Sequence, residues 1–397
     1  MSFATTDFPS RLRQGQARLL AGFCVAMLLA ACGGGGGGSS APAASGQLTL
    51  TGCVIAANAT ACQATIGWTA SQATSPRVVL GPTTLATSAS GTLQAAVGGE
   101  RITVTLFDGP VRLDERTVVG TCVAASWWNG AQCAPFAVRT TERAATAFVE
   151  GASPVTLEVV VYRPFAPGPH PVVLFHHGST GNGDDPSLFR ITFESRAVAR
   201  HFTARGWMVV FPQRRGRGAS DGTYDEGFEP DRSRYSCLQG PALAGVARAL
   251  EDADAALAHV SGMAGVDATR ILSGGQSRGG ILAIAHAGLR RQSFVGAINF
   301  VGGWIGEGCA DAVPVNRSTF VRGAPFPAET LWQYGLNDPF YSVAHSRANF
   351  DAFTAAGGKG RFTVHDRGGT LNGHFLLDDP ALWESEMDAY LARLANP

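Results

Sequence analysis

Arg270-Ile-Leu-Ser-Gly-Gly-Gln-Ser-Arg-Gly-Gly280, followed by Ile281-Leu-Ala-Ile-Ala-His-Ala-Gly-Leu289, is the stretch on which the fold turns. Ile271 and Leu272 belong to a strand-like apolar run, and Ile281–Leu289 has the character of a buried helix. Between them lies Gly275-Gln-Ser277-Arg-Gly279, a G-x-S-x-G. A serine on a sharp strand-to-helix turn projects its hydroxyl to where a base can reach it, and the flanking glycines avoid collisions with strand and helix. The letters alone decide little in a chain with 50 glycines among 397 residues. A second copy, Gly218-Ala-Ser220-Asp-Gly222, follows the basic loop Arg214-Arg-Gly-Arg217 and precedes Thr223-Tyr-Asp-Glu-Gly227, which is no helix start. Ser220 therefore reads as a loop residue.

Outward from Ser277, the chain from 136 to 397 alternates strands and helices. Val155–Tyr162 reads as an early antiparallel strand. Pro171–Phe175 and Trp207–Phe211 are short apolar runs of the kind that lie in a sheet covered on both faces, and Phe294–Val301, Thr330–Tyr334 and Arg361–His365 read as further strands. Helices are expected over Phe193–Arg205, Ala242–His259 and Pro380–Leu394. This alternation predicts a mostly parallel, doubly wound sheet. Residues 47–135 differ. They are rich in Thr, Val, Ala, Ser and Gly, with strand-like runs at 47–51, 64–68, 77–80, 101–106 and 117–121, and predict a small all-β sandwich. Trp127 and Trp128 are expected to pack under a Cys122–Cys133 loop.

A serine hydroxyl needs a base, and the base needs an orienting acid. Asp338, in Gly335-Leu-Asn-Asp338-Pro339, directly follows the 330–334 strand; His374, in Asn372-Gly-His374, follows the last strand. Both would lie at the strand ends where Ser277 opens, in the chain order Ser, Asp, His. His365 is a rival base inside a strand pattern. Asp366, Asp378 and Asp379 are rival acids, none of which follows the preceding strand. His176 and His177 read as packing or loop-shaping residues.

These pieces together resemble an α/β-hydrolase, in the branch that includes dienelactone-hydrolase-like and prolyl-oligopeptidase-like proteins. The resemblance rests on His176-His-Gly-Ser179 after a strand, Gly275-Gln-Ser-Arg-Gly279, Gly335-Leu-Asn-Asp338 and Gly373-His374, and spans residues 136–397. It implies Ser277 as nucleophile, His374 as general base and acid, Asp338 as its orienting acid, and an oxyanion hole made by the backbone N–H groups of Arg278 and Ser179. It implies no metal and no organic cofactor. Pro212–Gly222 resembles the loop after the fourth strand of cocaine-esterase-like and X-Pro-peptidase-like hydrolases, where Arg and Asp fix the loop by ion pairs; the alternative is that Arg214 or Arg217 binds a substrate carboxylate. The spacing of Cys62 and Trp68 gives residues 47–135 a looser similarity to immunoglobulin-like bacterial modules.

The N-terminus reads as an export signal, residues 1–31. Arg11, Arg13 and Arg18 precede an apolar Leu19–Ala30 run too short to span a bilayer unaided. Leu29-Ala-Ala-Cys32 resembles a bacterial lipobox, which implies cleavage before Cys32 and diacylation of its sulfur. Gly33 rather than Asp after that cysteine implies, by the rule for Gram-negative lipoproteins, the outer membrane. Residues 32–46 form a Gly/Ser-rich tether. Six cysteines remain of the 8 in the chain once Cys24 and Cys32 are set aside. In an exported protein an even number suggests disulfides. Neighbour pairing within each domain favours Cys53–Cys62, Cys122–Cys133 and Cys237–Cys309. The last is expected to pin two loops of the pocket rim, with Trp304 and Phe320 lining the pocket.

A formal net charge of +0 and the absence of a basic block argue against nucleic acid as partner. The sequence thus predicts a lipid-anchored envelope esterase with a small-molecule ester as substrate. The alternatives are a serine peptidase of the oligopeptidase type and an inactive binding lipoprotein.

Overall fold

A computed structural model of the chain describes residues 43–395, which form two compact units. One runs to Val123 and includes Trp128–Ala134; the other comprises Ala124–Trp127 and the chain from Pro135 onward. The signal segment, Cys32 and most of the tether lie outside the described residues.

In the first unit, Ser45–Thr51, Cys62–Ser71 and Ser90–Val97 form one antiparallel sheet. Thr83–Ala86, Pro76–Leu80, Ile102–Asp108 and Val111–Val118 form another. Leu48, Ile66, Trp68, Val78, Leu80, Val104 and Leu106 share one core, so each sheet buries one face. Ser90–Val97 has no counterpart in the sequence reading. The expected strand at 117–121 is instead the end of one strand and the start of a short one, Thr121–Cys122. Gly120 breaks the run: it presses on Ile55 and the Gly98 carbonyl, and its N–H donates to that carbonyl at 2.8 Å. Disulfides join Cys53 to Cys62 and Cys122 to Cys133. The adjacent tryptophans part company. Trp128 packs on Ile55, Cys122 and Cys133, whereas Trp127 belongs to the second unit, its ring 4.6 Å from the Arg200 guanidinium.

The second unit holds eight strands, β1 (Val138–Glu150), β2 (Ser153–Arg163), β3 (His170–His176), β4 (Met208–Pro212), β5 (Val266–Gln276), β6 (Gly296–Phe300), β7 (Thr330–Gly335) and β8 (Gly360–His365). They lie in the order β1-β2-β4-β3-β5-β6-β7-β8. β2 runs antiparallel to both its neighbours, and pairing is parallel from β4 to β8. β4, β6 and β7 are buried at every residue, including the polar Asn299, Thr330 and Gln333. β1 was not anticipated, because Arg139, Glu142 and Arg143 along its partly exposed length mask the strand.

Six helices connect and cover the sheet: α1 (Arg196–Thr203), α2 (Gln239–Ser261), α3 (Arg278–Leu289), α4 (Ala312–Val321), α5 (Val343–Ala355) and α6 (Pro380–Ala395). α1 starts later than expected because Ser195 caps it, its hydroxyl accepting from Val198 N–H at 3.3 Å. α4 and α5 have no counterpart in the sequence reading. Successive residues of β6 show that helices cover both faces: Asn299 meets Gly280 of α3, while Phe300 packs edge-on against Trp383 of α6 at 5.3 Å. The order β4-β3-β5 reverses direction at β3 and β5. Crevices for ligands open at such reversals, beyond the carboxyl ends of the strands. Ser179 follows β3 there, and Ser277 follows β5.

Candidate active site

The turn from β5 to α3 is a single residue, Ser277, held at φ 56° and ψ −123°. This backbone conformation is costly for a non-glycine residue and needs support from its surroundings. The support is visible. Ser277 N–H donates to Phe300 O at 2.9 Å, and its carbonyl accepts from Gly280 N–H at 2.9 Å and Gly303 N–H at 3.2 Å. A side chain at Gly275 would strike the Gly279 carbonyl, and one at Gly279 would strike the carbonyl of His176. The two glycines of the motif thus allow strand, turn and helix to interlock.

Asp338 lies just beyond β7, its side chain fully shielded from solvent. Its Oδ1 accepts the backbone N–H groups of Phe340 (2.8 Å) and Tyr341 (3.1 Å), and its Oδ2 accepts His374 Nδ1–H at 2.8 Å. One oxygen anchors the carboxylate while the other fixes the imidazole tautomer, leaving Nε2 as the acceptor. The His374 backbone is held by Asn372 Oδ1 on its N–H (2.8 Å) and by Gln276 Nε2 on its carbonyl (3.2 Å). Gln276 is the residue before the candidate nucleophile. Gly335 and Gly373 let the acid loop and the histidine loop touch backbone to backbone, since a side chain at either would meet the other loop. The rivals have other partners. His365 bonds Gln333 at 2.9 Å, Asp379 pairs with Arg367 at 2.5 Å, and Asp366 accepts Gly368 N–H at 2.8 Å.

Arg278 N–H occupies the first position of α3, where no intrahelical acceptor exists and the helix dipole is positive. The 177–180 loop lies alongside: a Cβ on Gly178 would sit 3.0 Å from Ser277 Cβ. Within this loop Thr180 N–H is taken by the Tyr235 hydroxyl at 3.1 Å, and Ser179 N–H, the donor expected from the sequence, is next to it in the chain.

Sequence reasoning missed what joins these two donors. Glu226, buried, accepts Arg214 Nε at 2.6 Å on one oxygen and Arg278 Nη1 at 3.2 Å on the other. Burial alone would raise the pKa of its carboxyl, but Arg214 and Arg278 outweigh that and hold it below its ordinary value. Arg214 in turn donates to His177 O (2.9 Å) and Gly178 O (3.3 Å). Its backbone N–H donates to His177 Nε2 at 3.1 Å, and His177 Nδ1 lies 2.8 Å from Gly178 O and 3.0 Å from Arg214 Nη2. Burial and the nearby guanidinium keep this histidine neutral, its pKa well below the usual range. A continuous buried network therefore runs from the residue after Ser277 to the loop holding Ser179.

The Arg278 guanidinium is also sandwiched between Tyr235 (3.7 Å to the ring centroid) and Trp304 (4.8 Å), and donates to Trp304 O at 2.8 Å. The disulfide Cys237–Cys309 fastens together the two segments that carry those rings. Trp304 and Phe320 do not line an open pocket. Trp304 is buried on Arg278, and Phe320 is a core residue 4.5 Å from Trp332, because α4 turns it toward β7. Arg214 and Arg217 are buried as well, so neither is a free cation for a substrate carboxylate. The loop's acid, Asp221, pairs instead with Arg143 at 2.7 Å.

Tyr341 is a second residue missed. Three positions after Asp338, it is buried, its ring lies 5.7 Å from that of His374, and its phenol is within electrostatic reach of the Ser277 side chain. Burial pushes that phenol well above its ordinary pKa, so it remains protonated. The only signal available in the sequence was its closeness to Asp338. Among the described residues no group of three or more His, Cys, Asp or Glu side chains could hold a metal ion.

No family model matches the chain, and no curated protein matches it. Solved structures do resemble it. An acetyl xylan esterase from Paenibacillus sp. R4 is 18% identical over 63% of this chain and 89% of its own, with a TM-score of 0.42. A putative dienelactone hydrolase from Klebsiella pneumoniae is 17% identical over 66% of this chain and 100% of its own, with a TM-score of 0.42. An esterase from Pyrococcus furiosus is 13% identical over 65% of this chain and 91% of its own, with a TM-score of 0.46. Likeness at this level leaves the chemistry to be read from the chain's own residues.

Proposed function

We propose that this chain is a serine hydrolase that cleaves carboxylic esters through an acyl-enzyme intermediate. The observation that carries the reading is the 2.8 Å His374–Asp338 hydrogen bond beside a serine held at φ 56° on the first turn of α3. Ser277 Oγ attacks the ester carbonyl carbon while His374 Nε2 takes its proton, and Asp338 stabilises the resulting imidazolium. The carbonyl oxygen becomes an oxyanion that accepts the N–H groups of Arg278 and Ser179; losing one such donor typically costs about 10²–10³ in rate. His374 then returns the proton to the departing alcohol oxygen as the C–O bond breaks. Water, deprotonated by His374, attacks the acyl-enzyme; the carboxylic acid leaves and the proton goes back to Ser277.

Export and diacylation at Cys32, with residence in the outer membrane, belong to the same proposal and rest on residues 11–40 alone. The immunoglobulin-like character of the first unit is also part of the proposal and rests on the spacing of Cys62 and Trp68. The direct test compares p-nitrophenyl esters with peptide anilides, using wild type and Ser277→Ala. Ester turnover that disappears in the variant supports the reading; exclusive cleavage of the anilides makes the chain a peptidase instead.

A further inference from the structure

Large apolar side chains gather where the proposed chemistry releases its alcohol. Leu336 and Phe340 on the acid loop are 39% and 40% exposed, and Leu371 and Phe375 on the histidine loop are 55% and 48% exposed. The Phe340 ring lies 4.8 Å from the His374 ring, and that of Phe375 lies 6.3 Å from it, edge-on. The two loops are continuous with each other, for Asn337 Nδ2 donates to Gly369 O at 3.2 Å and Gly373 abuts the Leu336 carbonyl. Segments 336–341 and 368–375 contain no charged side chain other than Asp338 and His374, and those two are occupied with each other. Exposed phenylalanines at a histidine that must touch substrate are costly in water unless something covers them during turnover.

The mechanism says what covers them. The imidazole that takes the serine proton must hand it to the leaving oxygen, so the alcohol part of the ester has to lie against His374. The acyl oxygen lies away from it, at Arg278 and Ser179. We propose that Phe340 and Phe375, with Leu336 and Leu371 beyond them, form the platform for the leaving group, and that the preferred substrates are esters of neutral, bulky apolar or aryl-bearing alcohols. This inference rests on the esterase reading of the site.

The test holds the acyl group constant and varies the alcohol at nearly constant alcohol acidity: ethyl, hexyl and 3-phenylpropyl acetate. In the wild-type chain kcat/KM should rise at least about tenfold from ethyl to 3-phenylpropyl, on the order expected for partly burying an apolar group of that size. Replacing both rings with Phe340→Ser and Phe375→Ser should bring that ratio toward one. Phe340→Leu with Phe375→Leu should retain most of it, which separates apolar contact from any loss of fold. The ratio of ethyl butyrate to ethyl acetate, which reads the acyl side, should be the same in all three proteins. A flat alcohol series in a wild-type chain that hydrolyses ethyl acetate overturns the inference while leaving the esterase reading intact. So does a preference that survives the serine pair, or a serine pair that changes only the sedimentation of the protein, as a self-association face would. If no ester is hydrolysed at all, the esterase reading falls and takes this inference with it.

Discussion

Two stretches of this chain carry the same letters, and the structure treats them in opposite ways. Ser277 in Gly275–Gly279 is a backbone-strained residue at the start of a helix, and the residue before it, Gln276, donates to the carbonyl of His374, the partner of Asp338. Ser220 in Gly218–Gly222 is tied down: its hydroxyl donates to Gln213 O at 2.7 Å and accepts Glu158 N–H at 2.8 Å. Its glycines have different duties too. Gly218 and Gly222 take φ of 57° and 84°, so that the loop can turn against Glu158 and Glu150. The Ser220 hydroxyl is used up in holding a loop to the sheet, and the Ser277 hydroxyl is the one the proposed chemistry needs. The difference lies in partners, which a motif does not spell out.

The contrast can be broken most forcefully at Ser277. Ser277→Ala should lower kcat on an activated ester by about 10⁴-fold or more while the unfolding midpoint stays close to that of wild type; steady-state kinetics and a thermal melt check both. Glu226→Gln comes next, because it leaves two buried guanidiniums without their shared carboxylate. Breaking such a buried pair costs about 3–5 kcal/mol, and release of the Arg278 and 177–180 segments should lower kcat by roughly 10–100-fold with a smaller change in KM. Denaturant titration and a kcat/KM split would show whether the network positions the donors; a stable variant with full activity would remove it from the account. Tyr341→Phe deletes one buried hydroxyl near the candidate nucleophile and should reduce kcat about tenfold, seen also as slower labelling by a fluorophosphonate. Ser220→Ala is the smallest. Activity should stay within about twofold, and stability should fall by about 1–2 kcal/mol for the lost hydrogen bonds, measured by urea unfolding.

What could be read in advance follows the same division between chain-local and spatial information. The buried strands β3, β4, β6 and β7 announce themselves as short, largely apolar runs, and Ser277, Asp338 and His374 could be singled out as candidates because each comes after an expected strand, β5, β7 and β8 in turn, at the same end of the sheet. β1 was hidden by its charged, half-exposed face, and Ser90–Val97 by a Ser-Gly-Thr start that reads as a turn. α4 was hidden because its buried side includes Asn316 and Thr319, which carry no hydrophobic period. Glu226 and Tyr341 have no local signature at all. Glu226 lies 52 positions from Arg278 in the chain, and its role exists only once the loop after β4 folds across the start of α3. Trp304 and Phe320 failed in the opposite direction: their size and loop location suggested a pocket, but burial on Arg278 and between α4 and Trp332 gave them structural duties.

Covalent trapping tests the central claim most directly. The folded wild-type chain is treated with a fluorophosphonate and its peptides are mapped by mass spectrometry. The account predicts one adduct per chain, on Ser277, formed equally in Ser220→Ala and absent from Ser277→Ala and His374→Ala. An adduct on Ser220, or a folded wild-type chain that takes no label, would contradict it.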